Sequence, residues 1–199
     1  MAPDPRPWKR VRKGERKDYQ ILRVGEDVFA DPRTGEEHDR VIIEADDWCN
    51  VLPLTTDGRV VLIKQFRFGS QEISLELPGG VVDEGETPDE AVKRELEEET
   101  GYRAGRVVKL GVYRSNPAHF TNRVHSFVAL ECESVNDGHP DGSEDVAVEL
   151  VRPRDLVRLV GEERVTHALM IASIGLAAVH GYLAVGEMRA RNVRRAARG

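Results

Sequence analysis

Residues 80–102 read GVVDEGETPDEAVKRELEEETGY, and this stretch decides the fold. Thr87-Pro88-Asp89-Glu90 is a helix start with three agreeing signals: a Thr cap, Pro at the first helical position, and Glu three residues after the cap. The spacing predicts a helix to about Thr100, where Gly101 stops it. On that helix Glu95, Glu98 and Glu99 are related by i, i+3 and i+4, so they fall on one face. Arg94 precedes Glu95 and reaches Glu98 at i+4, so it can aim the carboxylates. A solvated acidic face is the ordinary explanation of such a run. Three carboxylates in one patch, however, repel one another unless a cation sits among them, and oxygen ligands suit Mg²⁺ or Mn²⁺.

Outward from the helix the pattern changes to period two. Residues 24–30 and 41–44 flank Asp31-Pro32-Arg33-Thr34-Gly35 and read as a hairpin. Residues 49–54 and 60–68 flank Thr56-Asp57-Gly58, a second hairpin. Residues 73–77 form a short strand closed by Pro78-Gly79-Gly80, whose glycines let the backbone turn sharply and approach a metal or phosphate. Strands are expected again at 107–114, 123–131 and 146–151. Two helices close the chain, one after Pro153 and one from about Thr166. Strands around a central helix, with helices at the end, predict an α/β (α+β) sandwich.

Length and composition bound the rest. The chain has 199 residues, a formal charge of −6 and 40% hydrophobic residues, an ordinary balance for one folded domain with a small appendage. No apolar run approaches the roughly 18 residues of a membrane span, and the first thirty residues lack a signal-like apolar core. Two cysteines, Cys49 and Cys132, cannot build a disulfide framework. A cytoplasmic protein is expected. Charge is uneven: residues 1–23 hold eight bases against three acids, the 182–199 tail is also basic, and the middle carries the acidic excess. The ends read as solvated chain ends. A contact with a phosphorylated ligand, RNA or an acidic partner is the sharper alternative.

The 80–102 stretch matches G-x5-E-x7-R-E-U-x-E-E-x-G-U at Gly80, Glu86, Arg94, Glu95, Leu96, Glu98, Glu99, Gly101 and Tyr102. A chance match is on the order of one in ten million at average residue usage. The chain therefore resembles a Nudix hydrolase. The resemblance implies a mixed β-sheet sandwiched between helices and metal-dependent cleavage of a nucleoside diphosphate linked to another moiety. It also implies that Glu95, Glu98, Glu99 and the carbonyl of Gly79 hold Mg²⁺, or Mn²⁺ in its place.

Beyond the box, residues 25–180 resemble the ADP-ribose and nucleoside-diphosphate-sugar pyrophosphatases. The carriers are Val60-Val61-Leu62-Ile63-Lys64-Gln65-Phe66-Arg67, the Leu75-Glu76-Leu77-Pro78-Gly79-Gly80 entry, and Pro117, fifteen residues after Tyr102. The resemblance puts Arg67 on the adenosine-side phosphate or base, with Glu76 and Pro117 also on the substrate side. It directs Arg40 toward the ligand across a homodimer whose amino-terminal strands, within 1–45, pack on the second subunit. Residues 46–181 would be the catalytic domain and 182–199 a basic tail. Several relatives carry a loop S-P-G-x-x-x-E-R, whose glutamate helps activate water. Here the run is Asn116-Pro117-Ala118-His119-Phe120-Thr121-Asn122-Arg123, and the amide of Asn122 cannot take a proton. Glu98 is then the favoured base, with His119 as the alternative and Asn122 left to orient a water or a hydroxyl.

The expected activity is hydrolysis of the pyrophosphate of ADP-ribose or another nucleoside diphosphate sugar. Dinucleoside polyphosphates, CoA and nucleoside triphosphates are the alternatives within the class. A non-catalytic ADP-ribose-binding regulator is the alternative outside it, but such proteins usually add a DNA-binding domain, for which no room is seen after residue 180. RNA processing through the basic ends would show as salt-dependent binding, and a nucleic-acid partner is not expected.

Overall fold

The computed structural model describes residues 4–139 and 145–184. In chain order the elements are β1 (Lys9–Arg12), β2 (Lys17–Asp18), β3 (Leu22–Ala30), β4 (Glu37–Ala45), β5 (Trp48–Thr55), β6 (Val60–Arg67) and β7 (Glu72–Glu76). After them come α1 (Pro88–Thr100), β8 (Tyr102–Arg103), β9 (Arg106–Tyr113), β10 (Val124–Ser134), β11 (Val146–Val151), α2 (Pro153–Gly161) and α3 (Ala168–Val179). Within the described residues the chain forms two units, one of 4–47 with 113–124 and one of 48–112 with 125–184.

The first unit is built on a four-stranded antiparallel sheet. β4 pairs along the whole of β3, while β1 and β2 pair with its two ends. The basic segment read as a solvated end is thus partly strand. The reason is Asp27, a fully buried carboxylate that receives Arg16 at 2.7 Å, Arg10 at 3.2 Å and the Gly14 N–H at 3.0 Å. The Arg16 guanidinium, helped by Gly14 and Arg10, holds the Asp27 carboxyl down at about 2 against the opposing effect of its burial. Two of the eight bases, Arg10 and Arg16, are thus drawn to one buried partner, while the strand residues of β1 and β2 stay exposed. Of the basic tail expected at 182–199, residues 185–199 lie outside the described residues.

The second unit carries the helices. Its seven-stranded sheet runs β11-β6-β5-β10-β8, with β7 on β6 and β9 on β10. Alternation along the strands sorts side chains into two cores. Cys49 and Val51 of β5 and Phe127 and Ala129 of β10 pack with Ala91, Val92 and Leu96 of α1. Leu52 and Val128, one step away on the same strands, pack with Leu156 of α2 and with Met170 and Ile174 of α3. The sheet therefore lies between α1 and the α2–α3 pair, the sandwich expected from the element order. Burying Leu96 alone contributes about 2 kcal/mol to seating the acidic helix.

Candidate active site

Both ends of α1 are fixed by its own sequence. The Thr87 hydroxyl accepts from the Glu90 N–H, and the Glu90 carboxylate accepts from the Thr87 N–H at 2.9 Å. At the other end Gly101 takes φ 70° and donates its N–H to the Glu97 carbonyl. The chain after β10 then covers the helix terminus: Val135 N–H donates to Gly101 O, and His139 N–H to Glu98 O at 2.7 Å. The helix that presents the glutamates is held at both ends.

Arg94 organises them. Its Nε and Nη2 donate to the two oxygens of Glu86, at 3.1 and 3.0 Å. Its Nη1 donates to Glu95 at 2.8 Å and to Glu98 at 3.0 Å. These bonds, Glu86 first, raise the Arg94 pKa despite partial burial, so the guanidinium is a permanent cation. Glu98 engages Arg94 through one oxygen, and its second accepts no hydrogen bond among the described residues. Beside it opens a cavity of about 420 Å³ lined by Arg94, Glu97, Glu98, Asn136 and His139, a volume in the range of small-molecule pockets. In sequence Glu86 stands out by its fixed spacing and its place just before the helix, and the structure makes it the bidentate partner of Arg94.

Glu99 is buried and accepts the Gly79 N–H at 2.8 Å. Gly79 has φ 156°, and a Cβ there would lie 2.2 Å from the Cys49 carbonyl. The same segment is fastened to β5 by Cys49 N–H to Gly80 O at 2.9 Å and Val51 N–H to Pro78 O at 3.0 Å. At Gly80 the Glu95 carboxylate fills the space of a side chain: a Cβ would lie 2.3 Å from its Oε1.

As placed, no group of three or more carboxylate, imidazole or thiol side chains among the described residues is drawn together to hold an ion. Glu95 and Glu98 face Arg94, and Glu99 faces Gly79. The donor chemistry nevertheless fits a hard divalent cation. Glu86, Glu95, Glu98 and Glu99 are oxygen donors set against the single positive charge of Arg94, and the glycine cradle gives close access to Glu95.

Arg67 and Glu76 meet on the same sheet. The register places Glu76 opposite Ile63, yet Arg67 reaches back along the face, and its Nε and Nη2 donate to the two Glu76 oxygens at 2.7 Å each. Burial pushes the Glu76 carboxyl up, but Arg67, with Ser74 and the nearby His167, more than offsets it and leaves it below the usual carboxylate range. His167, the N-cap of α3, accepts the Leu169 N–H and stacks on Trp48 with centroids 6.3 Å apart. No sequence signal pointed to that pair, because its members are 119 positions apart and meet only through the fold.

The other expected residues belong to the first unit. Arg40 on β4 leans over the Trp8 ring at 5.2 Å and has no carboxylate partner among the described residues. Pro117, His119 and Asn122 lie in the 114–123 loop, which groups with the amino-terminal strands. Phe120 forms a parallel bridge with Ile43 of β4. Asn122 donates to the Asp46 carbonyl at 3.1 Å, and its Oδ1 is covered, with no donor among the described residues.

A glutamate-bearing helix behind a glycine turn, with helices on both faces of a sheet, defines a Nudix-type centre. The family model of the NUDIX domain matches residues 46–173. The ADP-ribose pyrophosphatase of Bacillus subtilis is 33% identical over 135 residues, covering 67% of this chain and 73% of that enzyme. The GDP-mannose pyrophosphatase of Pectobacterium atrosepticum is 31% identical over 137 residues, covering 65% of this chain and 70% of that one. A crystal structure of an ADP compounds hydrolase shares the fold, with TM-score 0.77, 17% identity, and coverage of 92% of this chain and all of the other. The chain belongs to the Nudix family.

Proposed function

We propose that the protein is a Mg²⁺-dependent hydrolase of the pyrophosphate bond in nucleoside diphosphate sugars, ADP-ribose and GDP-mannose being the first candidates. The observation that carries this reading is the Arg94 hub, which gathers Glu95 and Glu98 of one capped helix with Glu86 just before it, beside Glu99 and the Gly79–Gly80 turn. The two relatives named for those substrates support the substrate class.

Glu95, Glu98, Glu99 and the Gly79 carbonyl would hold the cation. When bound, it neutralises charge on the pyrophosphate and lowers the pKa of a bound water. Arg94 keeps the carboxylates oriented and balances part of their repulsion. Glu98, with its open oxygen, is the group assigned to take the proton of the attacking water. Arg67, clamped by Glu76, would supply a fixed cation for substrate phosphates, and Arg40 would reach the ligand across the dimer. From ADP-ribose the products would be AMP and ribose 5-phosphate.

A homodimer and a cytoplasmic location complete the reading. Ile21, 79% exposed, and Tyr19, 50% exposed, place apolar surface on the turn between β2 and β3, which supports a partner there. Both cysteines are free and buried, which suits a reducing compartment. The test is a Mg²⁺ assay across ADP-ribose, GDP-mannose, other sugar nucleotides, dinucleoside polyphosphates and nucleoside triphosphates. The highest kcat/KM is expected for a nucleoside diphosphate sugar, and a clear preference for nucleoside triphosphates would overturn the substrate class.

A further inference from the structure

The 114–123 loop is an added edge of the amino-terminal sheet. Ile43 N–H donates to His119 O at 2.9 Å and Thr121 N–H to Ile43 O at 3.0 Å, the two bonds that flank the parallel Ile43–Phe120 bridge. Asn122 Nδ2 donates to Asp46 O at 3.1 Å, and Arg123 N–H to the Asp47 carboxylate at 2.8 Å. Inside the loop, Asn116 O accepts the N–H groups of His119 and Phe120, at 3.2 and 2.9 Å, and Asn116 Oδ1 accepts that of Ala118 at 3.3 Å. This knot turns His119 toward the strand.

The His119 ring then makes a specific contact. Its Nδ1 lies 3.1 Å from the carbonyl of Val41. A carbonyl only accepts, so Nδ1 carries the proton and donates. Val41 directly follows Arg40. A single-residue bridge is a weak edge, because only two backbone bonds pair the loop with β4 itself, the Asn122 and Arg123 bonds falling beyond the end of that strand. The Thr121 hydroxyl adds a long bond to Ile43 O at 3.4 Å, and the imidazole adds a further tie two residues away along β4, next to Arg40.

Resting on the nucleotide-sugar reading above, we propose that His119 is a positioning residue. It locks the 114–123 loop in register with β4, so that the loop and the strand that carries Arg40 form one rigid edge of the amino-terminal sheet. The role needs a donor at the Nδ1 position and no proton transfer. Asparagine, whose Nδ2–H occupies nearly the same place as a histidine Nδ1–H, should stand in for it, whereas alanine should not.

Two measurements on the full-length protein test this. In the first, kcat and KM for the best nucleoside diphosphate sugar are compared among wild type, His119→Ala and His119→Asn. KM should rise about 3- to 10-fold in His119→Ala, the factor of one modest hydrogen bond, with kcat within about twofold, and His119→Asn should restore KM. A collapse of kcat by about a hundredfold in both variants would overturn the proposal and make His119 the proton acceptor. An unchanged KM in His119→Ala would overturn it as well.

The second measurement is amide hydrogen exchange without substrate. The Ile43 and Thr121 amides should exchange about tenfold faster in His119→Ala and return toward wild type in His119→Asn. Unchanged exchange refutes the tie itself. This readout needs no turnover, so a protein that hydrolyses no sugar nucleotide would sink the functional reading while the exchange rates still decide whether His119 fastens the loop.

Discussion

Gly80→Ala should separate catalysis from stability. No left-handed φ marks this residue, so alanine can adopt its backbone. The added Cβ would lie 2.3 Å from Glu95 Oε1 and 2.6 Å from its Cδ, about 1 Å inside van der Waals contact. What it strikes is the end of a flexible side chain, so the carboxylate swings aside and the fold survives. A displacement of about 1 Å at a catalytic group costs on the order of a hundredfold in rate. Gly79→Ala is the contrast. Its Cβ would meet the backbone at Cys49 O, 2.2 Å away, at φ 156°. Backbone cannot swing aside, so that variant should lose several degrees of Tm. The assay is kcat/KM on the best sugar nucleotide at saturating Mg²⁺, paired with Tm by thermal denaturation. Gly80→Ala should fall about a hundredfold in rate with Tm within about 3 °C of wild type. Activity within threefold at unchanged Tm would show that the position of Glu95 is irrelevant to the chemistry.

Other substitutions probe neighbouring links. Glu99→Gln keeps an oxygen for the Gly79 N–H, so Tm should hold while kcat drops at least about a hundredfold; full activity at saturating Mg²⁺ would count against its role. EDTA should abolish turnover with the far-UV circular dichroism unchanged, and persistent turnover would remove the metal from the reading. Asp27, held at about 2 in the fold against about 3.9 unfolded, contributes stability that is complete above pH 4 and lost as pH falls toward 2. Asp27→Asn should therefore lower Tm by about 3–8 °C at pH 7, with the gap to wild type closing near pH 2; a gap independent of pH would refute the linkage. Light scattering at micromolar concentration should give a dimer, weakened on deleting residues 1–45, and a monomeric full-length protein would refute that expectation.

Local chemistry made much of the molecule legible. Thr87, Pro88, Glu90 and Gly101 fixed both ends of α1 because caps are satisfied within a few residues of chain. The period-two runs located the long strands, and the box spacing put Glu95, Glu98 and Glu99 on one helix with Arg94 among them. Family membership followed from that spacing and from the family-model match. What sequence could not supply were the partners chosen across distance.

Arg10 and Arg16 look like solvated charges until a buried Asp27 draws them, and β1 with them, into a sheet. Arg67 looks like a strand arginine until it reaches along the ladder to Glu76. That Glu95 fills the space over Gly80 depends on how closely α1 packs on the glycine turn, a distance no spacing encodes. The 114–123 loop lies within the stretch that the family model matches. Two of its backbone hydrogen bonds go to Ile43 of β4, more than seventy residues earlier, and only the folded chain reveals that partner.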